Sequence, residues 1–215
     1  MAKNKRFLIT AGGTREYIDP VRFISNASSG KMGYALAAAA IAVGHSVTLI
    51  TAPTNLEPPK GAKVVEVETS EQMLAAVKKY FSKCDCLIMA AAVSDYAPIK
   101  TSKTKIKKND RALTIKLKPT TDILKWAGQH KKQQIVVGFA LEDKDLKERA
   151  AKKLTQKNLD MIIANTPAAI GAEKSSVHIF TSNGQWTKLP LSNKALLAKK
   201  IVGMVAHVWH SRPRL

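Results

Sequence analysis

This chain is poor in sulphur, aromatic rings and acid. Its 215 residues include two cysteines. Cys84 and Cys86 stand too close together for an ordinary structural disulfide and have no second pair of metal-ligand residues nearby. That usage predicts a reducing, cytoplasmic setting. No apolar run approaches the ~18 residues a membrane helix needs, and no long apolar segment follows the basic N-terminus MAKNKRF. Neither a membrane span nor a signal peptide is expected. Aromatics make up only 6% of the chain, and no helix-turn-helix, zinc-finger or RNA-recognition signature is present, so specific nucleic-acid binding is not expected.

Acid is scarce relative to base. Sixteen Asp and Glu face 35 Lys and Arg, a formal charge of +19. The excess is lopsided: from Lys100 onward there are 24 basic residues and 8 acidic ones. The densest block, Lys100 to Lys118, carries eight basic residues and one acid, Asp110. A basic cleft suits a small polyanion such as a nucleoside triphosphate as well as it suits nucleic acid, and charge alone does not separate the two.

What is present is alternation. Short apolar runs at Phe7–Ala11, Ser46–Thr51, Val64–Val67, Cys86–Ala91, Ile135–Phe139 and Met161–Ala164 predict strands covered on both faces. Helices are expected between them at Gly30–Val43, Ser70–Phe81 (with Ser70 as cap), Thr121–His130 and Lys144–Gln156. This predicts an α/β fold: a doubly wound, Rossmann-like, mainly parallel sheet with helices on both faces and ligands at the carboxyl ends of its strands. Two stretches depart from the pattern. Thr104–Lys118 alternates and reads as a β-ribbon or lid, about 98–118. Val177–Leu189 contains Asn183-Gly184, a hairpin turn signal. A final helix is expected at Ser192–Trp209. With no internal repeat and no dividing linker, residues 1–215 read as one domain.

The densest functional signal is Ile9 to Gly33, ITAGGTREYIDPVRFISNASSGKMG. A strand breaks at Gly12-Gly13, a long connection rich in polar groups (Thr14, Arg15, Asp19, Arg22, Ser25, Asn26) follows, and a helix opens near Ser28-Ser29-Gly30. Strand, glycine turn and helix N-terminus are the parts of a phosphate or carboxylate site, and connections of this length are usually functional or disordered. The pattern is neither G-x-G-x-x-G nor a P-loop, despite Ser29-Gly30-Lys31. Other candidates follow later strands. At Ala90-Ala91-Ala92-Val93-Ser94-Asp95, small residues would admit a flat ligand to which Asp95 presents a carboxylate; tight strand packing and a turn cap is the alternative. Tyr96 and Lys100 match the Tyr-x-x-x-Lys spacing of short-chain reductases, but Pro98 between them spoils the helix that chemistry needs. The run Lys103–Lys108 is either a solvated face or a lid carrying lysine to a reacting phosphate. Phe139 follows Gly138 at a strand end and is either a base-stacking ring or a core residue. Lys153 and Lys157 are spaced to share a helix face. His207 and His210 have no acidic or thiol residue adjoining them and receive no role.

These pieces, in this order, resemble the phosphopantothenate–cysteine ligase family of coenzyme A biosynthesis. TAGGTRE, IDPVRFISN and SSGKMG, then AAAVSDY, KIKK, LTIKL, VGFALE and KNLDMIIAN, carry the resemblance from about Arg6 to Val208. It implies a ligase that joins 4′-phosphopantothenate to L-cysteine through an acyl-cytidylate, using CTP with Mg²⁺, in a homodimer with the Thr104–Lys118 ribbon at the interface. It also implies a stand-alone form without the flavin-dependent decarboxylase domain, hence no flavin; a metal ligand set is not legible. Residue by residue, the resemblance makes Asn26 the holder of the acyl-cytidylate carbonyl, Lys105 the lid lysine acting on the cytidylate step, and Arg22, Ala91 and Ala92 part of the substrate pocket. It puts Asp95, Thr121, Asp122, Ile123, Leu124, Phe139, Lys153 and Lys157 at the nucleotide, and Gly12, Gly13, Ser28, Ser29 and Gly30 at phosphates. One departure stands out: the family reads Asn-Pro-Asp-Ile where this chain has Thr120-Thr121-Asp122-Ile123, so the choice between CTP and ATP rests on that turn.

Overall fold

Buried aliphatic runs set the architecture. In the computed structural model, which describes residues 4–142, 145–166 and 172–210, β1 (Arg6–Ala11) lies at the centre of an eight-stranded sheet. Its apolar side chains are almost wholly buried, which suits a strand covered on both faces. On one side β1 pairs in parallel with β4 (Ser46–Thr51), and β4 with β5 (Lys63–Glu66). On the other side it pairs with β6 (Cys86–Met89), followed by β9 (Ile135–Leu141) and β10 (Met161–Asn165), again all parallel. The antiparallel hairpin of β11 (Lys174–Thr181) and β12 (Trp186–Asn193) closes that edge, turning at Asn183-Gly184 as expected.

Helices cover both faces. α1 (Lys31–Ala42) and α5 (Lys194–His210) pack on one side around Leu36, Ile9, Ile88, Ile163 and Ile201. α2 (Ser70–Phe81), α3 (Ile123–His130) and α4 (Leu146–Gln156) cover the other around Leu8, Ile50, Met73, Leu87 and Ile162. Gly33 is what brings α1 down onto β1: a Cβ there would lie 2.6 Å from the Ala11 Cβ and 2.9 Å from the Thr10 carbonyl oxygen. Helix caps differ from expectation in detail. Thr69, not Ser70, caps α2, in a reciprocal capping box with Gln72. α3 begins at Ile123, with the Asp122 carboxylate accepting from the Lys125 amide at 2.9 Å. Lys144, the expected start of α4, lies outside the described residues.

Two small antiparallel pairs sit above the sheet. β2 (Arg15–Tyr17) and β3 (Phe23–Ser25) form a hairpin inside the long connection after β1, where the sequence predicted only loop. It is docked on α2: the buried Glu16 carboxylate accepts from the Ser70 amide at 2.9 Å, an anion placed at a helix N-terminus. The ribbon expected at Thr104–Lys118 is a different pair. β7 (Tyr96–Pro98) joins β8 (Leu117–Pro119), and residues 99–116 between them carry no strand. The ALTIKLK alternation finds no partner until its last residues. Tyr96 therefore lies on a strand rather than a helix, which removes the geometry the reductase spacing needs.

Candidate active site

The sheet reverses its winding at β1, between β4 and β6, and the crevice at such a point is where open α/β sheets bind ligands. A cleft of about 600 Å³ opens there. Its floor is backbone. Beyond the ends of β1 and β6 the two chains stay paired: the Ala92 amide donates to the Gly12 carbonyl (2.8 Å) and the Thr14 amide to the Ala92 carbonyl (3.2 Å). Two buried threonines lock the arrangement, Thr10 Oγ1 accepting from the Ala91 amide (3.1 Å) and Thr14 Oγ1 from the Ser94 amide (2.9 Å). Small side chains at Ala90, Ala91 and Ala92 leave this floor open to the cleft.

Asn26 stands at one wall. Its Nδ2 donates to the carbonyls of Val93 (3.1 Å) and Ala92 (3.3 Å), so the carboxamide is oriented by the alanine loop. Next to it, Ser28, Ser29 and Gly30 lead into α1. Gly30 occupies the N-cap with φ 73° and no side-chain cap, so the first amides of α1 face the cleft without a side-chain acceptor, an arrangement that favours an anion. Gly12 and Gly13 do not line the cleft. They are there for close packing: a Cβ on Gly12 (φ 81°) would lie 2.6 Å from the Ala52 carbonyl oxygen, and one on Gly13 would lie 2.9 Å from that of Asn26.

The opposite wall comes from α3 and α4. Lys157 pairs with Asp122 at 2.8 Å, and Lys153 meets the buried Glu142 at 2.6 Å. The second contact is too oblique to count as a hydrogen bond, so it is an ion pair held by charge. Burial raises the Asp122 carboxyl, but the Lys157 hydrogen bond, the Lys125 amide and the nearby positive charge outweigh it and hold the carboxyl below its usual range. Gly128 sets the depth of this wall: a Cβ there would fall 1.8 Å from the Lys157 carbonyl oxygen. Gly138 does the same for Leu124, whose Cδ2 lies 2.7 Å from where a Cβ would stand. Thr120 ties the wall to the floor, its Oγ1 donating to the Ser94 carbonyl (2.6 Å) and its amide to that of Asp95 (2.9 Å). Those two bonds hold the turn that leads into α3.

The cleft therefore gathers Asn26, Ser28, Ser29, Gly30, Ala91, Ala92, Asp95, Thr121, Asp122, Ile123, Leu124, Phe139, Lys153 and Lys157. Arg22 and Lys105, like Gly12 and Gly13, are outside its lining. Arg22 grips the buried Asp19 and the Ile106 carbonyl instead. Sequence reasoning passed over Lys31, Asn165 and Lys194, which also face the cleft. The signal that could have found them is position alone: the first residue of α1, the last of β10 and the first of α5. Burial, and then the charge of Lys31, lower the Lys194 ammonium from its ordinary value. Cys84 and Cys86 are buried and not joined in a disulfide, and burial pushes the Cys84 thiol up to about 12, far from a reactive thiolate. Among the described residues no group of three or more His, Cys, Asp or Glu could hold a metal, and no helix is long and apolar enough to cross a membrane.

Known proteins share the sequence and the fold of this chain. Residues 2–208 match the model of the DNA/pantothenate metabolism flavoprotein C-terminal domain. The chain is 44% identical over 209 residues to the coenzyme A biosynthesis bifunctional protein CoaBC of Bacillus subtilis (strain 168), covering 95% of this chain and 52% of that protein. Against the protein of the same name from Borreliella burgdorferi it is 44% identical over 204 residues, 93% of this chain and 52% of the relative. It thus spans about half the length of the curated relatives it matches. The crystal structure of the C-terminal domain of a CoaBC superposes with a TM-score of 0.86 at 40% identity, covering 98% of each chain. A family match across nearly the whole chain, with the same fold and a cleft at the sheet's switch point, makes this protein a member of the DNA/pantothenate metabolism flavoprotein C-terminal domain family.

Proposed function

We propose that this chain is a phosphopantothenate–cysteine ligase of coenzyme A biosynthesis that activates its acid substrate with CTP. The observation that carries the proposal is the single cleft joining Asn26 and the uncapped start of α1 to the Lys153–Lys157 wall across an alanine floor. A carboxylate does not accept an amine until its oxygen becomes a leaving group. In the first step a carboxylate oxygen of 4′-phosphopantothenate bonds to the α-phosphorus of CTP, and the bond to pyrophosphate breaks. In the second the cysteine amine bonds to the acyl carbon, loses a proton, and CMP leaves.

The residues suit these tasks. Both substrates are polyanions, and the lining carries Lys31, Lys153, Lys157 and Lys194 against Asp95 and Asp122. Such oriented charge brings like-charged reactants together and stabilises the oxygens that gain charge. Ser28–Gly30 and the α1 amides receive a phosphate, with Gly12 and Gly13 shaping the turn behind them. Thr121–Leu124, Asp95 and Phe139 frame the nucleotide, and Phe139 presents a partly buried ring near the end of β9. Lys105, outside the lining, serves cytidylate formation from the segment between β7 and β8. Asn26 directs an amide hydrogen to the acyl carbonyl by releasing the longer of its two bonds, the one to Ala92. Ala91 and Ala92 floor the acid pocket, and Arg22 acts from outside the lining through its bonds to Asp19 and the Ile106 carbonyl.

Magnesium fits as an ion carried by the triphosphate oxygens, which it would neutralise. Of the two cleft carboxylates Asp122 is occupied by Lys157, leaving Asp95 to contact the ion or its waters.

Quenched-flow analysis with Asn26→Asp tests the assignment. The variant is expected to accumulate acyl-cytidylate and release pyrophosphate without forming product; product formation at the normal rate contradicts it.

A further inference from the structure

The long connection after β1 holds a carboxylate that the cleft does not use. Asp19 is fully buried, 0% exposed. Its Oδ1 accepts from the backbone amides of Val21 (2.9 Å) and Arg22 (2.8 Å), an Asx-type turn across Pro20. Its Oδ2 accepts from Arg22 Nε (2.9 Å) and Nη2, and from the backbone amide of Ile106 (3.1 Å). Arg22 Nη2 also donates to the Ile106 carbonyl. Both backbone groups of Ile106 are thus held by one ion pair, a buried carboxylate with a half-exposed guanidinium, from a segment more than eighty positions away. Two further bonds lay the same stretch along the hairpin, Thr101 Oγ1 to the Tyr17 carbonyl (2.9 Å) and the Ser102 amide to that of Ile18 (2.9 Å). Beyond Ile106 the attachments cease: the Lys107 and Lys108 amides have no partner among the described residues until the Ile99–Lys116 bond rejoins the ribbon.

We infer that Asp19, directly and through Arg22, is a positioning residue that anchors the chain at Ile106 and so fixes the place of Lys105 beside it, while the segment beyond Ile106 is left free to move. The inference deepens the ligase reading, on which its kinetic arm rests. A carboxylate is required. With Asn at 19, either orientation of the amide sets an NH₂ group against N–H donors, Ile106 and Arg22 on one side or Val21 and Arg22 on the other. Buried donors left facing a donor lose their bonds outright. The Arg22 hydrogen bond, first among several, already holds the Asp19 carboxyl far below the usual carboxylate range, so it accepts as an anion at neutral pH.

Amide hydrogen exchange and presteady-state kinetics test this together. In the native chain the Ile106 amide should exchange about tenfold or more slowly relative to that of Lys108. Asp19→Asn should abolish the difference and slow pyrophosphate release about 10- to 100-fold, the cost of a misplaced catalytic group, with the KM for nucleotide nearly unchanged. Adding Lys105→Gln should then cost nothing further, because the two act as a unit. Persistent protection of Ile106 in folded Asp19→Asn overturns the inference. So does accumulation of acyl-cytidylate in that variant, which would mean that Asp19 acts on Asn26. If Asp19→Asn does not fold, Arg22→Gln decides: it keeps the Ile106 amide bond to Asp19 but removes the guanidinium bond to the Ile106 carbonyl, and pyrophosphate release at the native rate overturns the inference. Absence of pyrophosphate release from the native chain would defeat the ligase reading, while the exchange measurement would still decide the anchor.

Discussion

At the scale of single residues, the cleft depends on groups with one acceptable chemistry. Asn26 offers two hydrogens to two carbonyls, so Asn26→Asp places a carboxylate against carbonyl oxygens and removes the donor together. Besides blocking acyl transfer, it should loosen the alanine loop and lower Tm by a few degrees, as expected for a loss of about 1–2 kcal/mol. Lys105→Gln removes charge but not fold; the cytidylate step should slow at least about tenfold with Tm unchanged, and equal pyrophosphate bursts in variant and native chain would contradict its role. Gly128→Ala is a packing test of the proposed nucleotide wall. Its Cβ would collide with the Lys157 backbone, so nucleotide KM should rise several-fold and stability should fall by about 1–3 kcal/mol, both read from kinetics and denaturant unfolding. Much of the site was legible at this scale because the residues sit in short motifs at strand ends. Lys31, Asn165 and Lys194 were not, since a lysine or asparagine at an element boundary has no motif around it. The anchoring role of Arg22 could not be read either, since its partner Ile106 is brought near only by the fold.

At the scale of elements, apolar runs were reliable where a strand is covered on both faces, as in β1, β4, β6, β9 and β10. Their ends were less so. β6 stops at Met89 rather than Ala91 because the chain turns to pair Ala92 with Gly13. The β2–β3 hairpin was invisible: three-residue strands of mixed polarity such as Arg15-Glu16-Tyr17 carry no periodic signal, and their stability comes from docking on α2 through Glu16. The opposite error arose at 104–118, where alternation without a neighbouring strand does not make a ribbon. The capping box of α2 offers a clean element-level test, because α2 does not line the cleft. Thr69→Ala should cost about 1 kcal/mol, seen as a fall in the thermal midpoint, while pyrophosphate release stays at the native rate.

At the scale of the whole molecule, two properties follow from the surface. Val21, Phe23, Tyr96, Ile99, Leu113 and Leu117 are large apolar side chains left exposed on or beside the two small antiparallel pairs. This is consistent with the expected homodimer. Sedimentation should show a dimer that Ile99→Asp with Leu117→Asp converts to monomer; a native monomer would contradict that expectation. The second property is acid sensitivity. Burial raises the Asp85 carboxyl, but its bonds to Arg6 and nearby positive charge hold it below its ordinary value. A carboxyl depressed on folding stabilises fully above the unfolded value near about 4, and that contribution is lost as pH falls through the folded value. Asp85→Asn should therefore destabilise at neutral pH and flatten the acid limb of the stability profile, as measured by urea unfolding across pH.

The central claim is that this cleft activates a carboxylate with a nucleotide. The most direct measurement is pyrophosphate release with 4′-phosphopantothenate, Mg²⁺ and cysteine, comparing CTP with ATP. The account predicts release with CTP that depends on phosphopantothenate. Release with ATP alone would keep the ligase and assign the nucleotide choice to the Thr120–Asp122 turn. No release with either nucleotide would contradict the account.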